Sequence, residues 1–242
     1  MARSRGRRWQ RRVLWLAGAA AAVVVLAVGG TFVYIHYISG PAPASLGLNS
    51  PSGTSGSGST STAGGGSSVA GTWKPTTGSV VGYRVKEVLL GQHQTAVGRT
   101  STITGHLTIS GTRVTAGTFS VPMDTIKSNE SQRDVQFNGR IMNTSTYPTG
   151  TLTLTKPIAI APLPADGVIK KYTASGNLTL HGHTRAVTFP LSAERTAAGQ
   201  IEISGSIPVM FSNWDIPNPS FTGFVTTQNH GVLEFLLKLA RS

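Results

Sequence analysis

Residues 176–191 read GNLTLHGHTRAVTFPL, with His181 and His183 on either side of Gly182. Leu178 and Leu180 alternate with polar residues before the histidines, and Val187, Phe189 and Leu191 resume that alternation after them. A period of two on both sides marks two half-buried strands. Histidines at i and i+2 on a strand share a face, which is how some β-barrel metal sites begin. Here, however, a glycine separates them, and glycine supplies positive φ at no steric cost, as a hairpin turn requires. His93, His106 and His230 lie elsewhere, and no carboxylate has recognisable ligand spacing beside any of the five. The stretch is read as strand, turn and strand, with no metal.

The same period recurs outward in both directions. Apolar sets fall at Val81, Tyr83 and Val85; at Ile103, Leu107 and Ile109; at Phe119, Val121 and Met123; and at Leu152 and Leu154. Further sets fall at Tyr172, Leu178 and Leu180; at Val187, Phe189 and Leu191; at Ile201, Ile203, Ile207 and Val209; and at Leu233, Phe235, Leu237 and Leu239. Gly, Pro and Asn punctuate them. Eight such segments within residues 70–242 predict an all-β, eight-stranded antiparallel barrel, whose interior side chains can fill or one small ligand can occupy. Two stretches break the rhythm. KSNESQRDVQFNGRIM (127–142) predicts one or two helical turns capped by Ser128, and residues 210–228 concentrate Phe211, Trp214, Phe221 and Phe224 between prolines, either plugging a barrel end or walling a pocket.

Ahead of the barrel, residues 13–38 carry no formal charge and follow six arginines (Arg3, Arg5, Arg7, Arg8, Arg11 and Arg12). At about 1.5 Å per residue the run outreaches a hydrocarbon core of about 30 Å, and Trp15, Tyr34 and Tyr37 fit interfacial belts. The basic tail 1–12 is expected in the cytoplasm, 13–38 as one transmembrane anchor, and the rest of the chain outside. Cleavage after Ala44, in a small-residue APA site, would instead release the protein. Residues 39–69 are rich in Gly, Ser and Thr and predict a flexible tether with a reach on the order of 30 Å. Of 21 basic residues those six arginines precede residue 13, and all nine acids follow residue 86, so the net charge of +12 belongs largely to the tail. A basic face for nucleic acid is not expected on the folded part. There are no cysteines, which excludes disulfides, thiolate nucleophiles and cysteine-ligated metals.

Several segments together resemble one family. SGNLTLHGHTRAVTFPL is similar to the strand, turn and strand signature of the YceI-like family, exported lipocalin-like proteins that bind polyisoprenoid lipids. In chain order, GTWKPTTGSVVGYRVKE resembles that family's opening strand with its early Trp, and ITGHLTI its second strand. VPMDTIKSNESQRD resembles the segment ending in an Arg-Asp pair, here Arg133 and Asp134, and YPTGTLTL the Tyr-Pro strand entry. The match spans nearly all of residues 71–240 and implies a lipocalin-like barrel around an elongated apolar lumen. One departure stands near the seventh strand, where the family usually has an arginine, an acid and an aromatic. VMFSNWDI here puts Phe211 in place of the arginine and Asn213 in place of the acid, and keeps Trp214.

The expected function is sequestration or transfer of a long-chain isoprenoid or similar amphiphile, with no cofactor and no catalysis. Neither a nucleophile elbow, a phosphate-binding glycine loop nor a zinc-protease helix is present. Each buried CH₂ contributes about 0.8 kcal/mol, so a few isoprene units suffice for micromolar affinity. Candidate ligand-contacting residues are Tyr83, Phe119, Leu152, Tyr172, Leu180, Phe189 and Phe235 on the strands, with Phe211, Trp214, Phe221 and Phe224 on the aromatic segment. Arg133 and Asp134 are head-group candidates; the alternatives are a latch on the helical segment or a solvated pair worth about 0–1 kcal/mol. The rival reading is a structural or interaction module whose barrel is filled by its own side chains. An enzyme using His181, His183 or His93 would need those rings to converge with a carboxylate.

Overall fold

The computed structural model describes residues 42–48, 68–89, 91–221 and 225–242. The basic tail, the apolar run 13–38, most of the Gly/Ser linker and Phe224 lie outside the described residues. Among the described residues no helix is long and apolar enough to cross a membrane.

The described strands form one antiparallel sheet: β1 (Gly71–Pro75), β2 (Val80–Leu89), β3 (Gln92–Thr100), β4 (Thr104–Ser110), β5 (Arg113–Pro122), β6 (Lys127–Ser128), β7 (Thr149–Leu154), β8 (Ile158–Ala159), β9 (Lys170–Leu180), β10 (His183–Arg195), β11 (Ile201–Met210), β12 (Val225–Thr227) and β13 (His230–Arg241). They resolve into eight long staves. β1 and β2 are one strand bent at residues 76–79, and β3 and β4 are its bent antiparallel partner, since β2 pairs β3 and β1 pairs β4. β5 and β6 make the third stave and β7 and β8 the fourth, followed by β9, β10, β11 and β13. The last stave closes the ring: β13 pairs β11 along one edge, and β1 and β2 along the other. The eight staves are those predicted from the apolar sets, and the ring closes where the last stave pairs the first.

The segment 176–191 turns as its glycine implies. His181 and Gly182 both have positive φ, +47° and +77°, and His183 pairs with Leu180, so β9 and β10 are joined by a two-residue loop of the primed type. A Cβ on Gly182 would lie 2.6 Å from the Tyr147 ring, so the position needs glycine for space as well as for φ. The histidine rings do not converge on a carboxylate. His181 packs edge-on against Tyr147, ring centroids 4.5 Å apart, with its Nδ1 3.3 Å from the Trp214 carbonyl.

The helical segment differs in detail from its expectation. It comprises α1 (Ser131–Gln136) and a wider π turn, Phe137–Ile141. Ser128 is not the cap, because Glu130 occupies that position and makes no capping bond through its side chain. Asp134, in the first turn, instead reaches back and accepts hydrogen bonds from the Ser128 amide and hydroxyl, each 2.8 Å. A carboxylate there also suits the positive end of the helix. The helix thus closes one barrel end, together with the β2–β3 hairpin, the 181–182 turn and the 3₁₀ turn Phe211–Trp214. At the opposite end the Trp73 indole is buried and donates to the Val69 carbonyl at 2.9 Å, with the Arg241 guanidinium 5.2 Å above its ring.

The linker is not spacer throughout. Residues 42–48 lie against the outer wall of the barrel, where Arg84 donates to the Pro43 carbonyl at 2.7 Å and Glu234 accepts from the Leu46 amide at 3.3 Å.

Candidate ligand cavity

Because inward positions on every stave carry Val, Ile, Leu, Phe or Tyr, most of the barrel interior is apolar, with Glu87 and Arg133 lining one end and Glu194 and Arg195 the other. It is not filled. A cavity of about 300 Å³ runs between the two ends. That is roughly twice the ~150 Å³ apolar cavity known to take up benzene, so the space suits an extended chain more than a single ring. Val69 and Leu163 line it at one end, and Arg133, Phe137 and Ile141 at the other.

Eight of the eleven predicted contact residues lie on this wall: Tyr83, Phe119, Leu152, Tyr172, Leu180, Phe189, Phe211 and Phe235. Phe189 and Phe235 meet edge to face, ring centroids 6.1 Å apart. Phe211 is buried and lines the wall at the place of the family's arginine, so an apolar aromatic contact surface replaces a cation there. Trp214 and Phe221 are corrections. The Trp214 indole is 2% exposed but lies off the wall, donating to the Leu178 carbonyl at 3.1 Å, and so braces the β9–β10 turn. Phe221 is 63% exposed on the outside of the barrel end. The aromatic segment therefore both walls the pocket, through Phe211, and plugs the end, through Trp214.

Polar groups gather where α1 crosses the barrel end. Arg133 Nη2 is 3.2 Å from Glu87 Oε1, and its Nη1 donates to Asn129 Oδ1 at 2.9 Å. Gln94 also donates to Glu87, at 2.6 Å. Arg133 and Glu87 both line the cavity, whereas Asp134 faces Ser128, so the adjacent pair acts as two separate latches, one to β2 and one to β6. Tyr83 lies beneath them. Its ring stacks on Phe137 at 5.1 Å and covers Gly98, where a Cβ would stand 2.4 Å from its Cε1. Burial pushes the Tyr83 hydroxyl up to about 12, opposed by Arg133 and reinforced by Asp134 and Glu87. Burial also raises the Tyr172 hydroxyl. Both phenols stay protonated donors.

Glu87 and Phe137 were not among the predicted residues, although the sequence carried a signal for each. Glu87 continues the inward phase of Val81, Tyr83 and Val85, and Phe137 follows Arg133 by four residues on one helix face. Among the described residues no group of three or more His, Cys, Asp or Glu side chains could hold a metal ion.

The profile of the family described as YceI-like domain matches residues 73–238. The chain belongs to the YceI-like family. Among solved structures, this YceI-like barrel is similar to a polyisoprenoid binding domain from Saccharophagus degradans implicated in plant cell wall breakdown. The two share 14% identity and a TM-score of 0.59, over 72% of this chain and 99% of that one. It is also similar to Burkholderia cenocepacia BcnA, with 18% identity and a TM-score of 0.49 over 65% of this chain and 96% of the other. No curated protein matches the sequence. For the YceI-like chain the family match and the first of these likenesses establish the barrel fold.

Proposed function

We propose that this YceI-like protein is a membrane-anchored, extracytoplasmic lipid carrier, holding one long-chain isoprenoid or similar amphiphile in the barrel for sequestration or transfer. The continuous apolar cavity carries the reading, because an exported barrel that needed only its own core would gain by filling the space; empty apolar volume forfeits packing contacts. The family match and the likeness to a polyisoprenoid binding domain support it. The same cavity counts against the rival module with a self-filled barrel.

Ionisable side chains line both ends, Glu194 and Arg195 at the far one, and the end beneath α1 is the one that bears on the head group. The Arg133 charge is already matched by Glu87, so a diphosphate would find no spare cation there. The Tyr83 hydroxyl, which keeps its proton, offers a hydrogen bond to an uncharged acceptor such as a carbonyl or hydroxyl.

Solvent extraction of full-length protein from its native host, with mass spectrometry of the extract, is expected to yield one amphiphile with an uncharged head. Delipidated protein should then take up a prenylated quinone in a fluorescence titration, in preference to a prenyl diphosphate. Val121→Asp, on the wall but only half-buried, should abolish uptake while leaving the fold, since an unpaired charge facing a dry lumen is strongly penalised. Folded, delipidated protein that took up no isoprenoid, fatty chain or quinone would refute the carrier and leave the interaction module. For topology, protease added to intact spheroplasts should remove the barrel and spare residues 1–12.

A further inference from the structure

The outer wall carries a buried acid that the lipid cavity does not use. Glu234, on β13, is 3% exposed although it points away from the lumen. Arg84 Nε lies 3.3 Å from it and Arg99 Nη2 2.8 Å, one arginine from each of β2 and β3. Desolvating such an acid is unfavourable and is offset only when donors satisfy its lone pairs. The cover comes from the chain itself. The Leu46 amide donates to Glu234 at 3.3 Å, Arg84 to the Pro43 carbonyl at 2.7 Å, and Arg99 to the Ala44 carbonyl. The three contacts read only backbone, and they occur in the stretch just after the apolar run.

Chain length turns this contact into a statement about orientation. Four residues separate Ile38 from Pro43, and the five Cα–Cα steps between them span at most about 17 Å. A free 31-residue linker, residues 39–69, would let the barrel wander on the order of 30 Å. Arg84 pairs with Val232, two residues past the start of β13, and lies five residues short of Leu89, so the clasp is nearer the helix-capped end than the other. That end also exposes the two most solvent-accessible large apolar side chains among the described residues, Val135 on α1 at 64% and Phe221 at 63%. Its formal charges cancel, with Lys86, Lys127, Arg133, Arg140 and Arg185 balanced by Glu87, Asp124, Glu130, Asp134 and Asp215. A neutral surface with protruding apolar residues suits the interfacial zone of a bilayer.

We propose that residues 43–46 form a docked strap, held by Arg84, Arg99 and Glu234, which seats the barrel with its helix-capped end on the bilayer surface beside the anchor. The proposal rests on the reading of residues 13–38 as a membrane anchor. It places the Tyr83, Glu87 and Arg133 end of the cavity at the lipid surface, so an amphiphile could pass between bilayer and lumen without crossing bulk water.

The absence of cysteine makes the test direct. Full-length protein carrying a single cysteine, Val135→Cys at the helix-capped end or Ala197→Cys at the far end, is labelled with an environment-sensitive fluorophore and reconstituted into phosphatidylcholine vesicles containing a nitroxide phospholipid. The label at 135 should be quenched several-fold more than the label at 197. Adding Arg84→Ala and Arg99→Ala should erase the difference. Because that pair could unfold the wall, a second variant inserts twelve Gly/Ser residues after Gly40, leaves the barrel untouched, and should weaken quenching at 135 as well. Equal quenching at both ends, stronger quenching at 197, or a difference that survives the folded double variant would overturn the strap. Extraction of the chain from vesicles by alkaline carbonate would overturn the anchor and the seating with it. No ligand enters the measurement, so either failure is distinct from failure of the carrier reading.

Discussion

Arg133, on the helix that closes the barrel, reaches Glu87 on β2 with 3.2 Å between Nη2 and Oε1, and both side chains face the cavity. The pair therefore ties the lid to the wall while keeping that end neutral. Arg133→Ala strands a mostly buried carboxylate that retains only Gln94, and should cost about 2–3 kcal/mol in urea unfolding. Arg133→Met with Glu87→Met should cost less than the sum of the single changes. Additive single changes would show that the pair contributes nothing as a latch.

Tyr83 supplies a pH signature. Its ordinary pKa of 10.0 is raised to about 12, so the folded state disfavours the phenolate. The stability this confers is present in full below pH 10 and is lost as pH rises from 10 to 12, by an amount on the order of 2–3 kcal/mol. Stability against alkali should thus fall over that window in the wild type and much less in Tyr83→Phe. Absorbance titration of the folded protein should show one tyrosine ionising well after the exposed ones.

At the β9–β10 turn, Gly182→Val meets both a positive φ and the Tyr147 ring, and should destabilise by about 2–4 kcal/mol. His181→Gly, at φ +47°, should cost far less despite losing the Tyr147 contact. Metal content, measured on His181→Ala with His183→Ala, should equal that of the wild type. Stoichiometric zinc lost in the double variant would contradict the turn.

Trp214 and Phe189 separate bracing from binding. Trp214→Phe removes the bond to the Leu178 carbonyl and should lower stability by about 1–2 kcal/mol without changing amphiphile uptake. Phe189→Leu, on the wall, should alter uptake. A loss of affinity in Trp214→Phe equal to that in Phe189→Leu would return the indole to the binding surface.

Local chemistry was enough for the repeating features. The two-residue period of eight apolar sets places eight staves, because an inward side chain every second residue is the only way a strand can bury one face. Gly182 marks the turn at residues 181–182 because few other residues tolerate its φ. The same period, carried one step past Val85, would also have placed Glu87 on the wall. Other features were decided by tertiary structure alone. Whether Trp214 walls the lumen or braces a turn depends on which carbonyl its indole meets, and Leu178 is distant in sequence. Arg133 and Asp134 are neighbours that serve different strands, since consecutive helical residues point about 100° apart. Residues 42–48 have the composition of a free linker, and only the convergence of Arg84, Arg99 and Glu234 from three strands makes a site that holds their backbone. Periodicity and turn chemistry act between neighbours and are legible in order along the chain. Hydrogen bonds across more than a hundred residues exist only once the barrel has closed.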